Sequence, residues 1–127
     1  MESAQKFFER YLSEKAGLQC LLHKTNKSFY KKYFTNDLFK DFADFWMQRE
    51  ANPEIFEGIE NGEQTARAFT SGRIKDRLIR HRYNLGVSDG KWKVSEKETE
   101  CFVCDGSGRQ NDQECHFCEG KGWKNYV

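Results

Sequence analysis

Cysteines at 101, 104, 115 and 118 and glycines at 106, 108, 120 and 122 make "CFVCDGSG" and "CHFCEGKG" two copies of one pattern, Cys-x-x-Cys-x-Gly-x-Gly. With five cysteines and ten glycines among 127 residues, one such pattern arises by chance at about 10⁻⁵ per starting position, so a tandem pair is no product of composition. A Cys-x-x-Cys turn brings two thiolates to one metal ion, and a second pair completes a tetrahedron with Zn–S bonds of about 2.3 Å. Four thiolates leave no open position for a catalytic water. The spacing therefore predicts one structural zinc ion per chain, held by Cys101, Cys104, Cys115 and Cys118. The glycines permit backbone conformations that turn amides toward the sulfurs. A redox dithiol, which needs only one pair, and an iron–sulfur cluster are the alternatives. His116, inside the second pair, is expected to be an exposed loop residue, and Cys20, among leucines, a core cysteine.

A second group of residues offers proton chemistry. If Asp89-Gly90 makes a two-residue hairpin turn, Val87 faces Trp92, Leu85 faces Val94, Tyr83 faces Glu96 and His81 faces Glu98, all on one side of the sheet. A carboxylate that orients an imidazole is the arrangement of a general acid or base, so His81, Glu98, Tyr83 and Glu96 are the candidate catalytic residues. The competing reading is that the strands leave the core here and these side chains are solvated. Arg80, Arg82, Asn84, Lys93, Ser95 and Lys97 are expected on the opposite, wet face. The basic run Arg67, Arg73, Lys75, Arg77, Arg80 and Arg82 reads as a solvated sheet face, with a patch for an acidic partner as the alternative.

The elements that must position these groups follow from hydrophobic periodicity. Ala4, Phe7, Phe8, Tyr11 and Leu12 recur at helical steps within residues 1–16, with Gly17 as a stop. Residues 20–34 suit a shorter or broken helical stretch. Thr35 or Asn36 caps a third helix whose stripe is Leu38, Phe39, Phe42, Phe45 and Trp46, read as a buried face. After Pro53 the period becomes that of strands. Residues 54–60 and 63–71 form a first hairpin around Asn61-Gly62, and 77–88 with 91–100 form a second around Asp89-Gly90. Helices followed by an antiparallel meander make an α+β arrangement with the helices on one sheet face.

"ESAQKFFERYLSEKAG", "KKYFTNDLFKDF" and "RHRYNLGVSDGKWKV" together resemble the nuclear transport factor 2-like (cystatin-like, SnoaL-like) α+β cone over about residues 3–98. The resemblance implies N-terminal helices folded into a curved antiparallel sheet around a pocket, and no particular activity. The cysteine repeats resemble half of the cysteine-rich zinc domain of DnaJ-type co-chaperones, which carries four such units. No His-Pro-Asp is present, so chaperone function does not carry over. The expected organisation is a cone over 1–100 and a four-cysteine zinc knuckle over 101–127.

Composition bounds the function. A formal charge of +1 gives no basic field for nucleic acid. From residue 101 onward, Arg109, Lys121 and Lys124 stand against Asp105, Asp112, Glu114 and Glu119, and a zinc–tetrathiolate adds further negative charge, which repels phosphate. Phe102, Phe117, Trp123 and Tyr126 suit packing against the cone better than stacking on bases. No apolar run spans a membrane and no secretion signal is read at the N-terminus, so a cytoplasmic protein with reduced thiols is expected. The leading expectation is a non-enzymatic binding or interaction protein with an unknown protein or small-molecule ligand, with homodimer formation through the sheet as a further possibility. A small pocket hydrolase or isomerase using His81 and Glu98, or a zinc-dependent peptide or nucleic-acid binder, are the other readings.

Overall fold

A computed structural model describes residues 2–20, 27–35, 54–74, 77–101 and 103–125. The expected third helix, with Leu38 through Trp46, lies outside the described residues, as do Pro53, Lys75, Phe102 and Tyr126. The side chain of Cys20 is likewise outside them.

Helix α1 spans Ala4–Cys20 and runs through Gly17 rather than stopping there. Ser3 caps it: its hydroxyl accepts from the Lys6 amide at 3.2 Å, and its carbonyl accepts the Phe7 amide at 3.1 Å. Ala4, Phe7, Phe8 and Tyr11 are buried along one face, with Leu12 partly buried beside them. The stripe continues to Lys15, four residues beyond Tyr11 and also buried. Helix α2, Lys27–Tyr33, buries Phe29 and Tyr33. Phe34 then makes a parallel bridge to Val94.

Strands β1 (Ile55–Asn61), β2 (Thr65–Ile74), β3 (Arg77–Ser88) and β4 (Lys91–Glu100) pair antiparallel in sequence order. The meander expected from the sequence is therefore present. Its first turn is longer than the two-residue Asn-Gly turn anticipated: Asn61 pairs with Ala66, and the Gly62 amide donates to the Thr65 carbonyl at 2.8 Å. The second is the expected tight turn, with positive φ at both Asp89 (52°) and Gly90 (74°), which matches the right-handed strand twist. Beyond the cysteines, β7 (Trp123–Asn125) returns to pair with Glu98–Glu100 as a fifth strand, while β5 (Arg109–Gln110) and β6 (Gln113–Glu114) make a separate ribbon.

One sheet face carries the core. Phe8 meets Tyr83 edge-on at 4.9 Å between ring centroids and Phe56 at 5.7 Å, and Tyr11 meets Tyr83 at 5.4 Å and Phe34 at 5.8 Å. Ala66 and Ala68 leave room for these rings on β2, and Leu85 and Val94 close the layer.

Candidate metal centre and buried polar cluster

The two cysteine repeats fold as near-identical halves. In the first, the Gly106 amide donates to the Cys101 carbonyl (3.1 Å), Ser107 to the Cys104 carbonyl (3.1 Å), and Gly108 to the Cys104 sulfur (3.2 Å). In the second, Gly120 donates to Cys115 (3.0 Å), Lys121 to Cys118 (3.2 Å), and Gly122 to the Cys118 sulfur (3.3 Å). The halves then clasp each other reciprocally: the Cys101 amide donates to the Gly122 carbonyl, and the Cys115 amide to the Gly108 carbonyl, both at 2.9 Å. Outside this clasp Glu100 pairs with Trp123 on one side and Glu114 with Arg109 on the other. The result is a local pseudo-twofold.

Glycine is required where the halves cross. A Cβ on Gly108 would lie 2.4 Å from the Gly120 carbonyl oxygen, and one on Gly122 would lie 2.5 Å from that of Gly106. Both positions also have positive φ, 78° and 80°.

The four sulfurs converge at the centre of this pseudo-twofold. All four cysteines are buried and none is in a disulfide, and their Sγ atoms lie within 4.8 Å of one another. Cys101 and Cys115 Sγ are 3.9 Å apart, and Cys104 and Cys118 Sγ 3.6 Å. A tetrahedron with 2.3 Å metal–sulfur bonds has edges of about 3.8 Å, so the donor set fits a single ion such as zinc. Burial pushes the Cys101 thiol up to about 12. Burial also opposes ionisation of Cys104, but the Gly108 amide and the neighbouring thiols bring it down to about 6. Val103 and Phe117 pack over the sulfurs, and His116 is exposed, as expected of a loop residue.

Among the described residues, side-chain contacts and a strand pairing tie this unit to the sheet. The Arg82 guanidinium lies 4.4 Å from the centroid of the Trp123 ring, Arg77 makes an ion pair with Asp105, and β7 pairs with β4. Trp123 thus packs on the domain, and Phe117 on the sulfurs.

The expected acid/base group is arranged differently. Val87 does face Trp92, and Leu85 faces Val94, but Asn84 then pairs with Glu96 because a bulge at Ser95 adds one residue to β4. Tyr83 therefore faces Lys97, and His81 faces Thr99, whose hydroxyl is 2.9 Å from His81 Nδ1. Glu98 turns to the opposite face, where Arg82 donates to it at 3.0 and 2.9 Å, and Glu96 accepts from Asn84 at 3.1 Å. Lys97, expected on the wet face, is buried for the same reason. His81 is fully buried rather than solvated.

The bulge turns Lys97 inward, toward a buried polar cluster that sequence reasoning missed. Glu54, just before β1, is buried with Lys15, with which it makes an ion pair. Thr70 donates to Glu54 Oε1 at 2.6 Å, and the Tyr83 hydroxyl lies 2.7 and 2.9 Å from its two oxygens. Tyr11 donates to Tyr83 at 3.1 Å, and Lys97 Nζ lies 5.1 Å from the centroid of the Tyr83 ring. Burial alone would raise the Glu54 pKa, yet the charges of Lys15, Lys97 and His81 hold it well below the ordinary carboxylate range. Burial, with Glu54 beside it, holds Tyr83 well above the ordinary phenol range. One sequence signal for this cluster was available: Lys15 continues the apolar face of α1 at the next helical step.

The fold and site define an α+β protein with helices packed on a mostly antiparallel sheet and a buried four-cysteine cluster able to hold a metal ion. No protein-family model matches the chain, and no curated protein or solved structure matches it significantly. No helix among the described residues is long and apolar enough to cross a membrane.

Proposed function

We propose that the chain is a zinc-stabilised binding or interaction module of the reducing cytosol, an α+β domain of the nuclear transport factor 2-like kind with one structural zinc knuckle. The observation that carries this reading is the convergence of four buried sulfurs whose backbone cradle is built twice. Cys101, Cys104, Cys115 and Cys118 would hold the ion and close its coordination sphere, leaving it an organising role. The order of elements, helices and then a meander whose inner face is filled by aromatic rings, supports the domain assignment. A binding role is favoured over catalysis because both Glu54 oxygens are already engaged by buried donors, and Glu98 is held by Arg82 away from His81.

Elemental analysis of the purified chain, with thiol titration before and after chelation, tests the metal reading. One zinc per chain, lost in Cys101→Ser and Cys115→Ser but retained in Cys20→Ser, is expected. Zero metal with disulfides present, or an iron–sulfur absorption spectrum, overturns it.

A further inference from the structure

On the face of the sheet opposite the helices, a groove of about 380 Å³ opens among Glu57, Phe69, Ser71, Leu78, Arg80 and Trp123. Thr70 and His81, whose side chains belong to the inner face, also border it. The size suits a small ligand or one large peptide side chain. Its walls are less wet than a solvated sheet face should be: Leu78 and, on the adjoining edge strand, Ile55 are the exposed large hydrophobic side chains among the described residues. Register places both on this same face, Ile55 opposite Ser71 and Leu78 opposite Arg73.

The charged groups bordering the groove differ in what they have left to offer. Glu57 accepts from the Ser71 hydroxyl. Arg80, with a side chain 64% exposed, has an ion pair with Glu100 at 3.8 Å, beyond hydrogen-bond reach. Its planar fork of N–H groups can therefore donate to a carboxylate, a match that suits guanidinium better than ammonium. Neighbouring Arg82 is already committed to Glu98 and Trp123.

Trp123 is held at the groove from two sides, by β4 and Arg82 on the sheet and by the cysteine unit that precedes it. The residue before it, Gly122, donates to the Cys118 sulfur and accepts from the Cys101 amide, and Trp123 itself pairs with Glu100. An ion on the sulfurs would thereby help to hold one wall of the groove in place.

We propose that this groove binds a carboxylate bearing one large apolar group, with Arg80 on the carboxylate and Phe69, Leu78 and Trp123 around the apolar group, and that metal on the four cysteines completes it. The metal dependence rests on the reading above; the groove itself does not. Two sources supply this chemistry, a free organic acid and the C-terminus of a peptide with an apolar last residue.

The test is an NMR titration of the full-length ¹⁵N-labelled chain, its metal content first fixed by elemental analysis. The probes are 4-phenylbutyrate, N-acetyl-Gly-Ala-Leu with a free C-terminal carboxylate, and the same peptide as its carboxamide. Saturable shifts of the Trp123 indole N–H and the Phe69 and Arg80 amides are expected with at least one acid. The acid that binds identifies the source. The carboxamide and the Arg80→Glu variant are each expected to bind about tenfold or more weakly, with Arg80→Lys recovering part of the loss. No shift with either acid in metal-loaded protein overturns the proposal, as does equal binding of acid and amide or indifference to Arg80→Glu. Chelation should abolish the shifts and added zinc restore them; unchanged binding by metal-free protein overturns the coupling while leaving the groove standing. A chain that never holds metal fails the metal reading instead, which the elemental analysis reports separately.

Discussion

Glu54 and Gly108 show at the scale of single residues why sequence chemistry and folded chemistry part. Glu54 is one of many acids in the chain, yet burial beside Lys15, Thr70 and Tyr83 makes it the anchor of the inner cluster. Glu54→Gln leaves Lys15 buried without its counter-charge and is expected to cost ~3–5 kcal/mol, read by chemical denaturation. Because the folded pKa is depressed, the stability Glu54 contributes is complete above the unfolded value of 4.5 and is lost as pH falls below that toward the folded value. Acid denaturation should therefore show a shallower loss of stability in Glu54→Gln over that window than in the parent. Gly108→Ala forces a methyl group against the Gly120 carbonyl at a positive φ. It is expected to weaken zinc binding by about tenfold or more, equivalent to ~1.4 kcal/mol, in competition with a chromogenic chelator, whereas Gly17→Ala, with open space around it, should leave binding unchanged.

Two elements govern the site, the bulged strand β4 and the short strand β7. The bulge at Ser95 puts Lys97 and Thr99 on the inner face and sends Glu96 and Glu98 to the outer one. Deleting Ser95 would regularise the ladder while preserving the facing pairs. That deletion is expected to keep the fold and lower Tm by no more than about 8 °C, on the order of 1 kcal/mol for a domain of this size. Deleting Lys97 instead turns Glu98 into the core and should prevent folding, a contrast that thermal melts of the two variants will read directly. Strand β7 depends on the cysteine unit on one side and on β4 on the other. Hydrogen exchange of chelated protein should show protection lost across 103–125 and in the paired segment 98–100, with β2 and β3 still protected. Loss of protection in β2 and β3 would mean that the cysteine unit is a foundation of the whole sheet.

For the whole molecule the question is how far metal and core are separable. Structural zinc in small fingers is worth an apparent ~10–16 kcal/mol and there folds the peptide outright. Here α1, α2 and the inner sheet face have an aromatic core that includes no cysteine of the metal unit. Chelation is therefore expected to lower Tm while leaving most of the helical circular dichroism signal at 25 °C. Complete loss of that signal would show that the domain does not stand without the ion.

Much of this was legible in local patterns. The α1 face from Ala4 to Tyr11, the strand pair across Asp89-Gly90 and the four-cysteine unit were each readable, because helical period, turn chemistry and metal-ligand spacing are properties of short segments. The cysteine halves were the most legible, since each is folded by hydrogen bonds within its own eight residues. The tertiary structure decided what local pattern leaves open. One extra residue at Ser95 reverses which side of β4 faces inward beyond it, and nothing in the alternation of the chain announces a bulge. That reversal separated His81 from Glu98, gave Glu98 to Arg82, and added Lys97 to a cluster that α1, the start of β1 and β3 bring together through Lys15, Glu54 and Tyr83. Burial and charge pairing between such segments depend on distances that exist only once the sheet has closed against α1, so the inner cluster and the Trp123 groove are consequences of packing rather than of pattern.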